Sequence, residues 1–278
     1  MIKIKEITQQ NKILKLLEFL VRSNIYTFIF FRYCVNSIFY KFIFESDFKI
    51  LRFINLEKVN KNKKILDIGA NDGISIKAMR NFIKDRKIIS FEPDKINFRK
   101  LQKLKKKDKN LLIFNYGLSN KVKKKNILFQ PYYKSYSLSP FNSLKLKEVY
   151  NSIKNSLFIK RIEKKIIIKK LVIKLTKLDQ LNYDPFFMKI DIQGHEYECI
   201  LGSIKTIKKS LPIIMIEYDR KNNLRIFKLL KKFGYKKFIF RTNKKMLKEH
   251  SNEDVFNIFY ITSEKLNYFN HDLKIQYS

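Results

Sequence analysis

The segment at residues 66–73, LDIGANDG, concentrates small residues in a chain that has few of them. It holds two of the six glycines and one of the two alanines in the 278-residue sequence. An apolar run precedes it, and residues 74–82 can form a helix after it. A glycine turn between a strand and a helix lets the backbone approach a ligand closely. The segment therefore predicts a site for a nucleotide-bearing cofactor, with an ordinary strand-to-helix turn as the alternative.

A carboxylate follows the next predicted strand. Glu92 lies 19 residues after Gly73, at the end of an apolar run over residues 87–91. A carboxylate at this position can accept hydrogen bonds from both hydroxyls of a cofactor ribose. The glycine segment lacks the G-x-G-x-x-G order of nicotinamide-binding proteins, and its spacing suits S-adenosylmethionine better. We therefore expect Glu92 to bind the ribose; a helix N-cap or a surface acid is the alternative.

A second polar segment follows the predicted strand at residues 186–191. Gly194 turns the chain from this strand into a predicted helix, which exposes Asp191, His195 and Glu196 at the edge of the sheet. A histidine near a carboxylate can accept the proton of a hydroxyl that attacks a methyl group. His195 and Asp191 are therefore the candidate catalytic residues, with a structural histidine as the alternative.

The elements that must position these residues alternate between strand and helix. Strands are predicted at residues 63–66, 87–91, 111–115, 186–191 and 212–217, and helices at 74–82, 95–106, 196–209 and 224–233. Strands at residues 238–241 and 256–261 are expected to pair in antiparallel orientation. The alternation predicts a doubly wound, mostly parallel α/β sheet with a terminal antiparallel hairpin, preceded by N-terminal helices. Ligands of such sheets bind outside the carboxyl ends of the strands.

The chain divides into three predicted parts. They are an N-terminal amphipathic helical segment at residues 1–48, a main domain at residues 49–264 and a C-terminal tail at residues 265–278. Within the main domain, residues 121–177 are too long for a simple connection. This insertion contains a Ser- and Tyr-rich loop and an alternating run, residues 166–178, that predicts a strand. We expect the insertion to cover the ligand site.

Basic residues dominate the composition, with 60 Lys+Arg against 25 Asp+Glu and a formal net charge of +35. Only ten of the basic residues are arginines. Proteins that read bases favour arginine, because its planar guanidinium group forms two hydrogen bonds at once. We therefore interpret the charge as a solvated lysine surface. An anionic partner such as nucleic acid, anionic lipid or an acidic glycan is the alternative.

The strongest hydrophobic run, residues 16–44, is divided by Arg22, Arg32 and Lys41 into pieces too short to span a bilayer. Apolar residues recur at helical spacing within it, which predicts amphipathic helices. These helices would pack against the main domain or lie on a membrane surface. Residues 1–44 are thus a candidate peripheral membrane contact.

Cysteine and histidine usage gives little indication of disulfides or metals. Cys34 and Cys199 lie far apart, and the three histidines show no metal-ligand spacing, so we expect no metal site. The start of the chain lacks the features of a secretory signal. We therefore expect a cytoplasmic protein, at the inner face of the membrane if the N-terminal helices bind lipid.

Five segments, in their order and spacing, resemble the FkbM family of methyltransferases. They are residues 66–73, 91–93, 178–179, 189–196 and 216–217. The resemblance extends over about residues 60–220. It implies a class I methyltransferase-like fold and S-adenosylmethionine as the cofactor. Members of the family typically methylate hydroxyls, often on sugars of glycans or on natural products.

The resemblance also implies roles for individual residues. Those expected along the methionine part of the cofactor are Asp67, Gly69, Asn71 and Gly73. Glu92 would bind the ribose, and Asp191 and His195 would face the acceptor. Gln193 stands where the family commonly has glutamate, which leaves metal dependence open.

The sequence therefore predicts an S-adenosylmethionine-dependent O-methyltransferase for a sugar hydroxyl of a surface glycan or its precursor. His195 or Asp191 would take the proton while the acceptor oxygen attacks the methyl group in line. Tyrosine rings at residues 132–143 would stack on the sugar. One alternative is a nucleic-acid methyltransferase or polyanion-binding module that uses the basic surface, although we do not expect nucleic acid as the partner. The other is a noncatalytic membrane-surface adaptor.

Overall fold

The computed structural model describes residues 26–27, 29–30, 45–134, 136–155, 164–251, 253 and 255–277. Most of the predicted N-terminal segment, and with it most of the candidate membrane contact over residues 1–44, lies outside the described residues. Among the helices in these ranges, none combines the length and the apolar character needed to cross a membrane.

Strands and helices alternate along most of the described chain. In chain order, the strands are β1 (Lys64–Ile68), β2 (Ile88–Phe91), β3 (Leu111–Phe114), β4 (Gly117–Leu118), β5 (Lys123–Tyr133), β6 (Tyr136–Ser137), β7 (Ile166–Thr176), β8 (Pro185–Ile190), β9 (Ile213–Glu217), β10 (Tyr235–Arg241), β11 (Met246–Glu249), β12 (Asn257–Thr262) and β13 (Lys274–Gln276). The helices are α1 (Glu45–Phe48), α2 (Ile74–Arg80), α3 (Lys95–Lys105), α4 (Leu146–Asn155), α5 (Glu196–Leu201), α6 (Ile204–Ser210), α7 (Arg220–Leu230) and α8 (Ser263–Leu266).

A nine-stranded sheet forms the centre of the described structure, in the order β13-β11-β10-β12-β9-β8-β1-β2-β3. Strands β3, β2, β1, β8 and β9 are parallel, and β12 pairs in antiparallel orientation with both β9 and β10. This confirms the predicted doubly wound sheet with its antiparallel hairpin. Strand order reverses between β1 and β8, so the crevice for a ligand opens at their carboxyl ends.

Two apolar clusters cover the two faces of this sheet. Ile213 belongs to one cluster and Ile214 to the other, as the alternating side-chain directions of a strand require. Helices α2, α3 and α8 pack on the first face, for example through Leu101. Helices α5, α6 and α7 pack on the second, for example through Ile207 and Ile226. The strands are buried on both faces, which holds their carboxyl ends rigidly.

Two segments differ from the sequence-based expectations. The predicted helix at residues 196–209 is divided into α5 and α6. Gly202, which lies between them, packs so closely on Ser119 that a Cβ would lie 2.0 Å from the carbonyl oxygen of Ser119. Residues 265–278, expected to be a tail, contribute the buried side chains of Phe269 and Leu273 to the core. They also contribute β13, which pairs with β11.

The insertion at residues 121–177 forms a separate four-stranded sheet, in the order β4-β7-β5-β6. Strands β5 and β7 form a long antiparallel hairpin, so β7 confirms most of the strand predicted at residues 166–178. Helix α4 packs on this sheet through Val149 and Ile153. The insertion therefore has a small core of its own beside the crevice.

Candidate functional site

A cavity of about 280 Å³ opens at the carboxyl ends of β1, β2 and β8. The central sheet contributes Gly69, Ala70, Asn71, Glu92, Pro93, Asp191, Ile192, Gln193 and His195 to its lining. The insertion contributes Leu128, Ser139, Pro140, Asn142, Leu144, Ile173 and Leu175. The insertion therefore closes one side of the crevice.

The structure brings together most of the predicted site residues. The ones that line the cavity are Gly69, Asn71, Glu92, Asp191 and His195. Asp67 and Gly73 do not line it. Asp67 is fully buried beneath the glycine segment, and Gly73 packs against Leu104 of α3. These two positions support the segment from below.

The glycine segment is clamped between β2 and β8. Gly69 has a φ of +81°, and a Cβ on it would lie 2.0 Å from the carbonyl oxygen of Asp191. The backbone amides of Gly69 and Ala70 donate to the carbonyl oxygen of Phe91 at 3.0 and 3.2 Å. Only glycine accommodates this conformation and this contact. The segment thus presents bare backbone to the cavity.

Beneath the segment lies a buried lysine that was not among the predicted site residues. Lys189 donates from Nζ to the carbonyl oxygen of Gly69 at 2.8 Å. The same Nζ lies 3.5 Å from Asp67 Oδ1 and 3.3 Å from Asp191 Oδ2. Burial lowers the pKa of Lys189, but the two carboxylates outweigh this effect and the net shift is upward. The sequence feature that could have identified Lys189 is its position inside the otherwise apolar strand β8.

Asp67 is the most buried carboxyl group of the site. Its Oδ2 accepts a hydrogen bond from Ser75 Oγ at 2.7 Å. Burial raises the pKa of Asp67, although Lys189 and Ser75 act in the opposite direction. Lys189 and Ser75 therefore favour the ionised form of Asp67 against the effect of its burial.

Glu92 is held in place by backbone amides. Its Oε2 accepts from the amide of Asn71 at 2.8 Å, and its Oε1 accepts from the amide of Asp94 at 2.9 Å. Burial raises the pKa of Glu92 to about 8, because it outweighs these two hydrogen bonds. Each carboxylate oxygen keeps a further lone pair that can accept a hydroxyl.

His195 lies at the cavity wall between a hydroxyl and a carboxylate. Its Nε2 is 2.9 Å from Ser119 Oγ. Its Nδ1 is 3.6 Å from Glu198 Oε2, and neither of these two atoms has a hydrogen-bond partner among the described residues. Burial lowers the pKa of His195 despite the opposing effect of Glu198. The imidazole is therefore neutral at pH 7, and the carboxylate beside it is Glu198, three residues along the chain.

Asp191 is oriented by the turn that follows β8. Gln193 donates from Nε2 to Asp191 Oδ1 at 3.1 Å and to Glu217 Oε2 at 3.0 Å. Glu196 Oε1 accepts from the backbone amides of Ile192 and Gly194 at 3.2 and 3.1 Å. Glu196 thus shapes the turn, and Gln193 fixes the carboxylate of Asp191.

Hydrogen bonds join the insertion to the site. Ser139 Oγ donates to Asn71 Oδ1 at 3.1 Å, and Ser143 Oγ donates to the carbonyl oxygen of Gln193 at 2.9 Å. Tyr132 and Tyr133, expected near a sugar, are buried within the insertion and do not line the cavity. The cavity wall on this side is formed by serine, asparagine, proline and aliphatic side chains instead.

The lining carries few charged groups, and the raised pKa of Glu92, about 8, leaves this carboxyl mostly protonated at pH 7. Glu92 and Asp191 contribute carboxyl groups, and Lys189 is the one lysine or arginine among the described residues of the lining. Within the described ranges there is no group of three or more His, Cys, Asp or Glu side chains placed to hold a metal ion. The cavity is therefore suited to a cationic or neutral ligand at Asp191.

A family model described as the methyltransferase FkbM domain matches residues 67–237, which is more than half of the chain. Solved structures are similar at low identity. For the FkbM methyltransferase of Methylobacillus flagellatus KT, the identity is 15%, the TM-score is 0.47 and 72% of this chain is covered, but this chain spans only 44% of that one. No curated protein matches the sequence.

Two further structures cover most of both chains. An rRNA methylase from Streptococcus thermophilus has 10% identity and a TM-score of 0.38, with 78% of this chain and 92% of that chain covered. The plantazolicin methyltransferase BpumL, in complex with SAH, has 9% identity and a TM-score of 0.35, with 94% and 99% covered.

Proposed function

Because the chain belongs to the FkbM methyltransferase domain family, we propose that it methylates a sugar hydroxyl of a surface glycan or its precursor. The family gives the class I methyltransferase-like fold, the methyl-transfer reaction and the cofactor, S-adenosylmethionine. The O-methyl linkage and the sugar acceptor are our proposal. The observation that carries it is the neutral His195 at the wall of a cavity whose lining is poor in cations.

The residues of the cavity fit the cofactor. Gly69 presents backbone where a Cβ would collide with Asp191, and Glu92 holds two oxygens in fixed positions for a ribose. Asp191 supplies negative charge at the crevice, which favours a cationic ligand. When bound, S-adenosylmethionine supplies an electrophilic methyl group on a sulfonium centre. Glu92 and the glycine segment would bind it, while Lys189 fixes the segment from below.

His195 is the better placed of the two candidate bases. Glu198 beside Nδ1 favours the tautomer with the proton on Nδ1, which makes Nε2 the hydrogen-bond acceptor. Ser119 Oγ lies 2.9 Å from Nε2 and marks a position from which a hydroxyl can interact with it. An acceptor hydroxyl that replaces Ser119 Oγ as the partner of Nε2 would lose its proton to Nε2 as its oxygen attacks. Asp191 is the second candidate, since its carboxylate also lines the cavity.

The lining on the insertion side supports a neutral acceptor. Ser139 and Asn142 offer hydroxyl and amide groups beside aliphatic surface, a combination suited to the polar and apolar faces of a sugar. A nucleic-acid acceptor would need several cations for its phosphates. We extend the proposal to a cytoplasmic enzyme that reaches glycan precursors at the inner face of the membrane.

The proposal is tested by incubating the full chain with S-adenosylmethionine labelled in the methyl group and with lipid-linked and free glycan fractions. We expect label that resists mild base and is recovered as an O-methyl sugar after acid hydrolysis. Base-labile label would indicate an ester. Label in nucleic acid would contradict the sugar acceptor. If the chain binds S-adenosylhomocysteine but transfers no label to any glycan fraction, the proposed acceptor class is wrong.

Cofactor affinity is expected to depend on Glu92 ionisation. The ionised carboxylate is the better acceptor for ribose hydroxyls, and its pKa in the free protein is raised to about 8. The dissociation constant for S-adenosylhomocysteine should therefore fall as pH rises from 6 to 9, by up to about tenfold per unit below the pKa. Calorimetry measures this. The Glu92→Gln variant should bind weakly with a flat profile, and a wild-type pH profile in this variant would contradict the assignment.

Replacing His195 with alanine is expected to lower kcat by about 10²–10⁴-fold while S-adenosylhomocysteine affinity stays the same.

Glu198 acts through His195 as a positioning residue. Its charge raises the pKa of His195, so Glu198→Gln should lower kcat less and should shift the acidic limb of kcat/KM to lower pH. A purely structural role for Glu198 would leave that limb in place. Near-normal turnover in His195→Ala would assign the proton transfer to Asp191.

A further inference from the structure

The two faces of the β5–β7 hairpin have different characters. Leu128, Ile173 and Leu175 on its inner face are buried and line the cavity. On its outer face, Ile127 lies directly opposite Val172 in the antiparallel register. These two side chains are 37% and 57% exposed. The hairpin thus carries an apolar cross-strand pair on the side that faces away from the cavity.

Lysines surround this pair. Lys170 and Lys174 lie on either side of Val172 along β7, at the two-residue spacing that puts them on the same face. Lys125 flanks Ile127 on β5, and all three lysines are exposed. We call Lys125, Ile127, Lys170, Val172 and Lys174 the hairpin patch. Its edge continues into three more exposed lysines at residues 121–124, and no acidic residue occurs between residues 121 and 127 or 168 and 176.

Exposed apolar side chains are concentrated in the insertion. Of the eleven large hydrophobic residues that are exposed in the described part of the chain, six lie between residues 122 and 172. Basic charge alone would fit any polyanion. An apolar centre in a ring of lysines fits a bilayer surface, where aliphatic side chains enter the acyl boundary and lysines meet anionic headgroups. A nucleic-acid surface would offer arginines or aromatic rings for stacking instead.

We propose that the hairpin patch binds the surface of a membrane that contains anionic lipids. The inner face of the same hairpin lines the cavity, so binding brings the cavity next to the headgroups. That position suits an acceptor attached to a lipid, a consequence that rests on the proposed function. The binding itself does not depend on methyl transfer. The residues of the hairpin patch are separate in sequence from the N-terminal contact predicted at residues 1–44.

Vesicle cosedimentation of the full chain tests whether the lysines of the hairpin patch contribute to membrane binding. We expect binding to vesicles with 30% phosphatidylglycerol and little binding to pure phosphatidylcholine, with a loss at high salt. The Lys125→Gln/Lys170→Gln/Lys174→Gln variant should lose about hundredfold in partition coefficient, at about fivefold per lysine. A matched control removes the same charge from α6 and α7, as Lys205→Gln/Lys208→Gln/Lys228→Gln, and should bind like the wild type. Equal losses in both variants would overturn the proposal in favour of diffuse charge.

The apolar pair is tested by fluorescence, because the chain contains no tryptophan. In Val172→Trp the new residue is the only one, and its emission should shift to shorter wavelength on anionic vesicles and be quenched by brominated lipids. In the control Leu224→Trp, placed at an exposed position of α7, the emission should stay constant. An emission from Val172→Trp that is unchanged by vesicles would overturn the proposal, even if the chain still binds them through another segment.

Binding to a short DNA duplex distinguishes a nucleic-acid partner from a membrane partner. If the triple-glutamine variant loses DNA binding while Ile127→Ser/Val172→Ser binds vesicles like the wild type, the patch serves a polyanion and the proposal fails. Binding of S-adenosylhomocysteine, measured for every variant, reports that the main domain is folded. Since that binding belongs to the proposed function, its loss in the wild type would contradict the methyltransferase assignment and leave the membrane result standing.

Discussion

Replacing Gly69 with alanine is expected to abolish S-adenosylhomocysteine binding and to lower the free energy of unfolding by about 2–5 kcal/mol. Two effects add at this position. The φ of +81° is unfavourable for a residue with a Cβ, and that Cβ would lie 2.0 Å from the carbonyl oxygen of Asp191. Because this nearest atom belongs to backbone directly after a buried strand, it cannot rotate away. The glycine segment must move, and the cofactor site moves with it.

Gly234 provides a matched control for this prediction. Its φ is +80°, but a Cβ there would meet no atom within 4 Å. Gly234→Ala should therefore cost only the conformational part, about 1–2 kcal/mol. Cofactor binding should be unchanged. Urea unfolding and calorimetry on both variants measure the two quantities. Equal stability losses and retained binding in Gly69→Ala would mean that the segment is not clamped by β8.

The periodic elements of this fold could be predicted, because burial on both faces of a parallel sheet leaves strong apolar runs separated by helical segments. The strand ends with their polar residues followed from the same pattern. The glycine segment and Glu92 converge on one cavity because β1 and β2 are adjacent and parallel. This adjacency is the expected property of a doubly wound sheet.

What the sequence did not reveal depends on contacts between distant segments. The partner of His195 was sought among the nearby strand-end carboxylates, but the helical turn of α5 places Glu198 beside Nδ1. Ser119 approaches Nε2 from the region after β3. No local sequence pattern indicates that Ser119 and His195, which are 76 residues apart in sequence, come into contact. The buried tyrosines of the insertion were misplaced for the same reason, since the core under α4 could not be deduced from the sequence between residues 121 and 177.

The strands at one edge of the sheet, β11 and β13, could not be predicted from the sequence for a different reason. Strands β11 and β13 are short, and each gains its stability from its neighbour instead of from a long apolar pattern. A three-residue strand near the end of a chain has too few residues for alternation to be recognised. Phe269 and Leu273 then anchor the segment in the core.

Replacing Lys189 with methionine is expected to destabilise the protein by about 3–5 kcal/mol at pH 7, because it leaves Asp67 and Asp191 without their shared cation. The loss also frees the carbonyl oxygen of Gly69, so cofactor affinity should fall. Lys63→Met is the matched control. Its ion pair with Asp184, at 2.8 Å, lies where the aspartate side chain is 45% exposed. That change should cost about 0–1 kcal/mol.

The pH dependence of the Lys189→Met deficit separates lost charge pairing from the lost hydrogen bond to the carbonyl oxygen of Gly69. Burial already raises the pKa of Asp67 above its ordinary value of 3.8, and Lys189 acts to lower it. Ionisation of Asp67 opposes folding between its unfolded and its native pKa in both proteins. Without Lys189 the native pKa of Asp67 rises further, so the difference between the two proteins develops above the native pKa of the wild type. The deficit relative to the wild type should therefore grow as pH rises above the native pKa of Asp67 in the wild type, as measured by urea unfolding at a series of pH values. A deficit that does not change with pH would assign the role of Lys189 to its hydrogen bond with the carbonyl oxygen of Gly69.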